Sequence, residues 1–294
     1  MSEPGRRVNE PGRRVGEETS PGARRERARL VSNEPGSNRR SRYWSVLRTV
    51  AWRNLHAVIR APALLLPPLV FPLFFYMAFA GGLSTVGSLP GFDYYNYDAF
   101  QFVFVLLQSA AFGGVFIGFS IGADFDSGFT RRLMLAARDR SAVIAGYGVA
   151  GLVRAALVWV VVFGIALATG MKVGGDGIEL GGLVGLAVVV NVAAFFFAAG
   201  VMTRLRTLQA APAMQLPLFM ILMTAPIYVP RNLLEGWISS VAKVNPMTAI
   251  VEAGRSLMAG DPFHVLLAFA AAAGMAALLL VFAWRGLRKA EAAG

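Results

Sequence analysis

The chain has 294 residues, 56% hydrophobic and only 15% charged, with a mean hydropathy of +0.56. A water-facing surface ordinarily carries about 25% charged residues, so most soluble-enzyme readings are excluded, and the apolar residues are gathered into runs that mark an integral membrane protein. The net charge of +11 is almost wholly Arg and lies beside apolar runs, which fits orientation in a membrane and not a nucleic-acid partner.

Residues 1–42 read as a disordered cytoplasmic tail, with eleven Arg, six Glu and a repeated Glu-Pro-Gly-Arg-Arg-Val segment at Glu3–Val8 and Glu10–Val15. No apolar stretch precedes residue 61, so no secretory leader is expected. From Tyr43 to Val58, Trp44, Leu47, Ala51, Leu55 and Val58 recur at helical spacing opposite Ser45, Arg48, Thr49, Arg53 and His56. That pattern, over 43–60, predicts an amphipathic helix lying in the cytoplasmic interface, with Ser41 near its start as a cap.

Six apolar runs follow, at about 61–83, 99–122, 142–170, 180–202, 208–229 and 262–284. Each approaches or exceeds the ~20 residues that cross a bilayer. The expected architecture is therefore all-α, with six transmembrane helices in a domain over residues 61–290. The fifth run contains Pro212, Pro217 and Pro226 and is expected to be kinked or broken. With the N-terminus inside, the inner connections carry twelve Lys and Arg and the outer ones four, so both termini are expected in the cytoplasm.

Three groups of residues are candidates for function. The first is the connection after span two, residues 124–140, where Asp126 or Ser127 can cap a short helix. Gly128, Phe129, Leu133 and Met134 lie beside Arg131, Arg132 and Arg138 in this stretch. Its amphipathic character fits either docking into a groove on a cytoplasmic partner or resting on lipid headgroups. The second is the outer stretch from Pro230 to Asp261. Leu233, Leu234, Trp237, Ile238 and Val241 form an apolar stripe, and Asn245-Pro246 is a helix-start signal. Glu252 and Arg255 are spaced to pair on the second of two short helices, which either close the outer face as a lid or serve as an external gate. The third group lies within the spans. Gly114, Gly118 and Gly122 allow close helix approach, while Gln108, Asn191 and Gln215 should face protein or an aqueous cavity, helix packing being favoured over substrate contact. Arg154 is expected to snorkel toward the cytoplasmic boundary. Met214, Phe219, Met220 and Met223 could form an adaptable apolar surface, with lipid contact or packing the favoured reading.

The chain has no Cys, and its two His, His56 and His264, lie far apart, so no catalytic zinc or other metal is expected. No Gly-x-x-x-x-Gly-Lys-Ser/Thr loop is present, so nucleotide is not bound in that way, and no catalytic residue or cofactor is expected. Gly146-Tyr-Gly-Val-Ala-Gly151 matches a dinucleotide fingerprint literally but opens an apolar span, where helix packing explains it.

The order of parts resembles the permease subunits of type-2 ABC exporters, including daunorubicin-resistance-type permeases, over roughly residues 43–290. Pro230, Trp237, Val244-Asn245-Pro246, Glu252-Ala-Gly-Arg255 and Gly260 resemble that family's spacing, and Ser127-Gly-Phe-Thr-Arg-Arg-Leu133 is a looser match. One departure is Ala136-Ala137, where the family often has Pro. The resemblance implies a cytoplasmic coupling helix after span two and re-entrant external helices before span six. It further implies two ABC ATPase subunits, a second permease subunit (identical or related), a hydrophobic or amphiphilic substrate, and a bacterial plasma membrane location among membrane lipid. A secondary carrier would need ion ligands at the midplane and an internal repeat, neither of which is seen. A membrane assembly protein without transport activity is the other alternative.

Overall fold

The computed structural model describes residues 39–61, 65–92, 94, 96–136 and 140–292, and among these every regular element is helical. The first, α1 (Arg39–Arg60), buries Leu47, Val50, Ala51, Asn54 and Val58 on one face. Its bounds place Ser41 inside the helix and not at a cap. Trp44 and Trp52 point outward, more than half exposed, which corrects the expected assignment of Trp44 to the packed face. The exposed tryptophans give α1 an amphiphilic outer surface of the kind that sits at headgroup level.

Next come α2 (Leu66–Tyr76), which continues through a π turn at Met77–Gly81, and α3 (Tyr97–Asp126). After α3 lie the short α4 (Phe129–Ala136), α5 (Arg140–Ala168) and α6 (Gly177–Leu205). A 3-10 turn at Leu208–Ala210 leads into α7 (Ala211–Met223). The outer segment folds as α8 (Gly236–Val244) and α9 (Pro246–Ala259), before α10 (Val265–Ala292) closes the chain.

Four of these helices, α3, α5, α6 and α10, are long and apolar enough to cross a membrane. The expected first and fifth spans form shorter apolar helices, Leu66–Gly81 and Leu208–Met223. Proline shortens both. Pro67 and Pro68 occupy the first turn of α2, where a missing N–H costs nothing. In α7, Pro217 lies inside the helix, and the chain leaves helical geometry at Thr224, two residues before Pro226. The fifth run is thus broken as expected, but it stops at Met223 instead of running to 229.

The core is built around α3, which packs on α2, α5, α6 and α9, while α6 also packs along α10. Gly114 makes the α3–α6 contact: a Cβ there would run into the Asn191 carbonyl and the Phe195 amide of α6. Asn191 returns the contact, donating from Nδ2 to the Ala110 carbonyl at 2.8 Å. The small-residue stripe and Asn191 therefore both make close helix–helix contacts. The same holds for Gly146, whose missing Cβ would lie 2.8 Å from the Leu47 carbonyl of α1. Along α5 and α10 the outward Leu157, Val160, Leu266 and Leu278 are more than half exposed, as lipid-facing residues must be.

Candidate coupling and gating sites

Two clusters at opposite ends of the bundle gather most of the expected site residues. At one end, α3 finishes at Asp126 and the chain turns through Gly128, whose φ of +69° is the left-handed conformation that glycine adopts without strain. It enters α4 at Phe129. Eight residues are too few for a helix to stand alone in water, so α4 depends on what it touches. Thr130 is buried, Leu133 packs on the core, and the Phe129 ring lies 4.1 Å beneath the Arg53 guanidinium of α1.

Arg53 is the centre of this joint. Its Nη1 donates to Asp124 Oδ1 at 3.1 Å and its Nη2 reaches Asp124 Oδ2 and, at 3.1 Å, Tyr147 Oη. The Tyr147 hydroxyl in turn donates to Asp124. One guanidinium therefore ties the interfacial helix, the end of α3, α5 and the start of α4 together. Burial works against the charge, but the hydrogen bond to Asp124, the Asp124 charge and the bond to the Tyr147 hydroxyl outweigh it, holding Arg53 above its ordinary pKa. Arg53 is 39% exposed and Asp124 16%, so the pair is neither a solvated surface bridge nor a dry one. Discounted for solvent, a charged hydrogen-bonded pair of this kind contributes about 1–2 kcal/mol.

Asp126 does not cap α4. Its Oδ2 accepts from the Leu208 amide at 2.9 Å, which fastens the inner end of α3 to the turn preceding α7. Arg132 is exposed on α4. The Arg131 side chain and Arg138 lie outside the described residues. Sequence reading missed Arg53, Asp124 and Tyr147 as partners; the available signal was a charged residue on each of two adjacent inner segments.

At the outer end, Asn245 caps α9 as expected, accepting from the Met247 amide at 2.9 Å with Pro246 in the first turn. Its Nδ2 also donates to the Ile221 carbonyl at 2.7 Å and to Thr224 Oγ1 at 3.0 Å, joining α9 to the end of α7. Glu252 and Arg255 do not pair. Glu252 faces Arg231 across 3.9 Å, whereas Arg255, 2% exposed, turns inward. Its three nitrogens donate to the carbonyls of Phe100 (3.2 Å), Pro226 (2.7 Å) and Ile227 (3.2 Å), and its plane lies 3.3 Å over the Phe100 ring. Arg255 is thus a peg that satisfies the Pro226 and Ile227 carbonyls beyond the end of α7 and adds a bond to the Phe100 carbonyl in the first turn of α3, a use the planar five-donor fork suits and a Lys would not. Pro230 is buried and starts the turn at Arg231–Leu233. Trp237, 72% exposed, points away from the bundle on α8.

Beside α9 an outer cavity of about 890 Å³ is lined by Arg231, Lys243, Glu252, Asp261 and His264 among others. Glycines 174 and 175, which sequence reading passed over, tie the segment before α6 to the end of α9 by donating to the Met258 carbonyl, each at 3.1 Å. Gln108 is fully buried on α3 with neither amide atom partnered among the described residues, and Gln215 is half-buried on α7. Of the α7 methionines, Met214 is wholly buried and Met220 is 60% exposed.

An all-helical apolar bundle with a short amphipathic helix at one end and two short helices at the other is the architecture of a membrane permease. The ABC-2 type transporter family model matches residues 45–259, and the chain belongs to that family. A daunorubicin resistance ABC transporter permease protein, DrrB1 of Streptomyces coeruleorubidus, is 25% identical over 259 residues, covering 84% of this chain and 88% of that protein.

Proposed function

We propose that this chain is the membrane subunit of an ABC exporter that moves an amphiphilic drug, lipid or glycolipid outward, powered by a separate ABC ATPase. Family membership supports the class, and the Arg53 joint is the single observation that carries the mechanism. A coupling helix can transmit force only if its root is fixed, and here the root is fixed to α1, α3 and α5 together. In this reading α4 docks in a groove of the ATPase through Phe129, Arg131, Arg132, Leu133 and Arg138, with Asp126 and Gly128 setting its departure from α3. ATP binding closes the paired ATPases and biases two arrangements of the bundle, which requires different contacts in each.

Leu66–Gly81 and Leu208–Met223 complete a six-span domain, both termini lying on the inner side of a bacterial plasma membrane. The chain assembles with a second permease and two ATPase subunits, and the exposed Phe74, Met77, Leu216 and Met220 give the two short spans apolar faces suited to that pairing. Around Pro230, Trp237, Asn245, Pro246, Glu252 and Arg255 the outer helices form the external gate over the ~890 Å³ cavity. Gln108 and Gln215 are the polar groups available to a substrate path. Chemistry stays in the partner: this chain contributes positioning and a route, with no catalytic residue or cofactor.

The test is reconstitution of the chain with its ATPase subunit in vesicles. Amphiphile-stimulated ATP hydrolysis and ATP-dependent export are expected, and Arg131→Glu with Arg132→Glu should abolish stimulation while leaving the protein inserted. Transport driven by an ion gradient without nucleotide would overturn the reading, and full stimulation by the double variant would overturn the role given to α4.

A further inference from the structure

Arg154 is an arginine within a span that the coupling reading leaves unused. It lies in α5, a helix of 29 residues and so about 43 Å long, where about 30 Å suffices to cross the hydrocarbon. If Ala168 marks the outer boundary, Arg154 lies fourteen residues inward, about 21 Å, and hence within about 10 Å of the inner boundary. Free snorkelling was the expectation, but α1 lies across its path. Arg154 Nη2 donates to the Asn54 carbonyl of α1, and its Nε is buried with no partner among the described residues.

Beside it lies a cavity of about 200 Å³ between the start of α2, the middle of α3 and α5. Its walls are mainly apolar, with Pro67, Pro68, Phe116, Phe119 and Val158 prominent. Arg154 is the one charged residue lining it, among the described residues, and Ser109 and Ser120 bring hydroxyls. Ser109 already donates to the Leu106 carbonyl at 2.7 Å. Arg154 lines this apolar cavity with no carboxylate partner among the described residues, and a guanidinium without a counter-charge is costly at this depth. The group that offsets that cost is an anion. The cavity is smaller than the ~300 Å³ at which drug-sized pockets begin, so a transported amphiphile does not fit within it. A phosphodiester does, with its acyl chains leaving toward the bilayer along the apolar walls.

We propose that this cavity binds the phosphodiester headgroup of an acidic phospholipid from the inner leaflet, with Arg154 as its anion-binding residue beneath α1. The site rests on the orientation proposed above but not on export, so a readout without the ATPase separates failure here from failure there. The full chain, purified in detergent and stripped of lipid, is titrated with phosphatidylglycerol, phosphatidylcholine or inorganic phosphate while thermal unfolding is followed. Phosphatidylglycerol is expected to raise the wild-type midpoint by about 3 °C or more, with the other two leaving it within about 1 °C.

Arg154→Gln should lose most of that shift and Arg154→Lys retain part of it, whereas Arg48→Gln, on the exposed face of α1, should keep it. Ser120→Leu, which fills the cavity while sparing the arginine, should also lose it and decides the matter if Arg154→Gln does not fold. Equal shifts with phosphatidylcholine overturn the anionic assignment, and an equal shift with inorganic phosphate overturns the lipid one. A full phosphatidylglycerol shift in Ser120→Leu overturns the location.

Discussion

Two arginines serve opposite ends of the molecule in different ways. Arg53 keeps part of its surface in water and pairs with a carboxylate, so it anchors while leaving the joint free to move. Its loss in Arg53→Gln leaves Asp124 with the Tyr147 hydroxyl alone, and chemical or thermal unfolding in detergent should register about 1–2 kcal/mol less stability. Stimulated ATP hydrolysis should fall further than that stability change accounts for. Arg255 is enclosed and holds three carbonyls with no carboxylate partner. Replacing it with Met strands the Pro226 carbonyl and leaves the Ile227 carbonyl to Gln101 alone, at about 1–3 kcal/mol, and Arg255→Lys should recover only part because one ammonium cannot span the fork. The spacing of Glu252 and Arg255 is that of a helix pair, and no local pattern could reveal that the second would be drawn to carbonyls left by a proline-broken helix elsewhere in the chain.

At the scale of elements, α4 and the α3–α6 seam show what was legible in the sequence. Amphipathic α1, the four long spans and the start of α9 followed from periodicity and from Asn245-Pro246, because each is specified by residues within a few turns of one another. The length of α7 was not legible. Its apolar run continues past Met223, but Pro226 and the Asn245 amide claim the next turn, and only the fold brings Asn245 there. Likewise Asp126 was legible as a cap by type, yet its carboxylate serves Leu208, 82 positions away. Two predictions belong here. Gly114→Ala places a methyl against the Asn191 carbonyl and should force α3 from α6, lowering the unfolding midpoint by several degrees. Phe129→Ala should cost about 1 kcal/mol through loss of the cation–π contact and packing, and should weaken ATPase co-purification more than it weakens folding.

At the scale of the whole molecule, α3 is the most enclosed of the four long helices and α10 the most exposed. The faces of α2 and α7 that carry Phe74, Met77, Leu216 and Met220 lie on short helices that prolines keep from extending. If a second permease covers them, Leu216→Arg should shift the purified protein to a smaller particle in size-exclusion chromatography with light scattering, while its helical content by circular dichroism stays unchanged. An unchanged particle mass would place the partner's contact on another face.

The fastening of α7 at both of its ends carries a mechanical consequence. Asp126 grips the backbone just before it, and Asn245 grips the backbone where it stops. A rod clamped by two separate jaws moves with both, so a displacement at either clamp shifts all thirteen residues of the helix together.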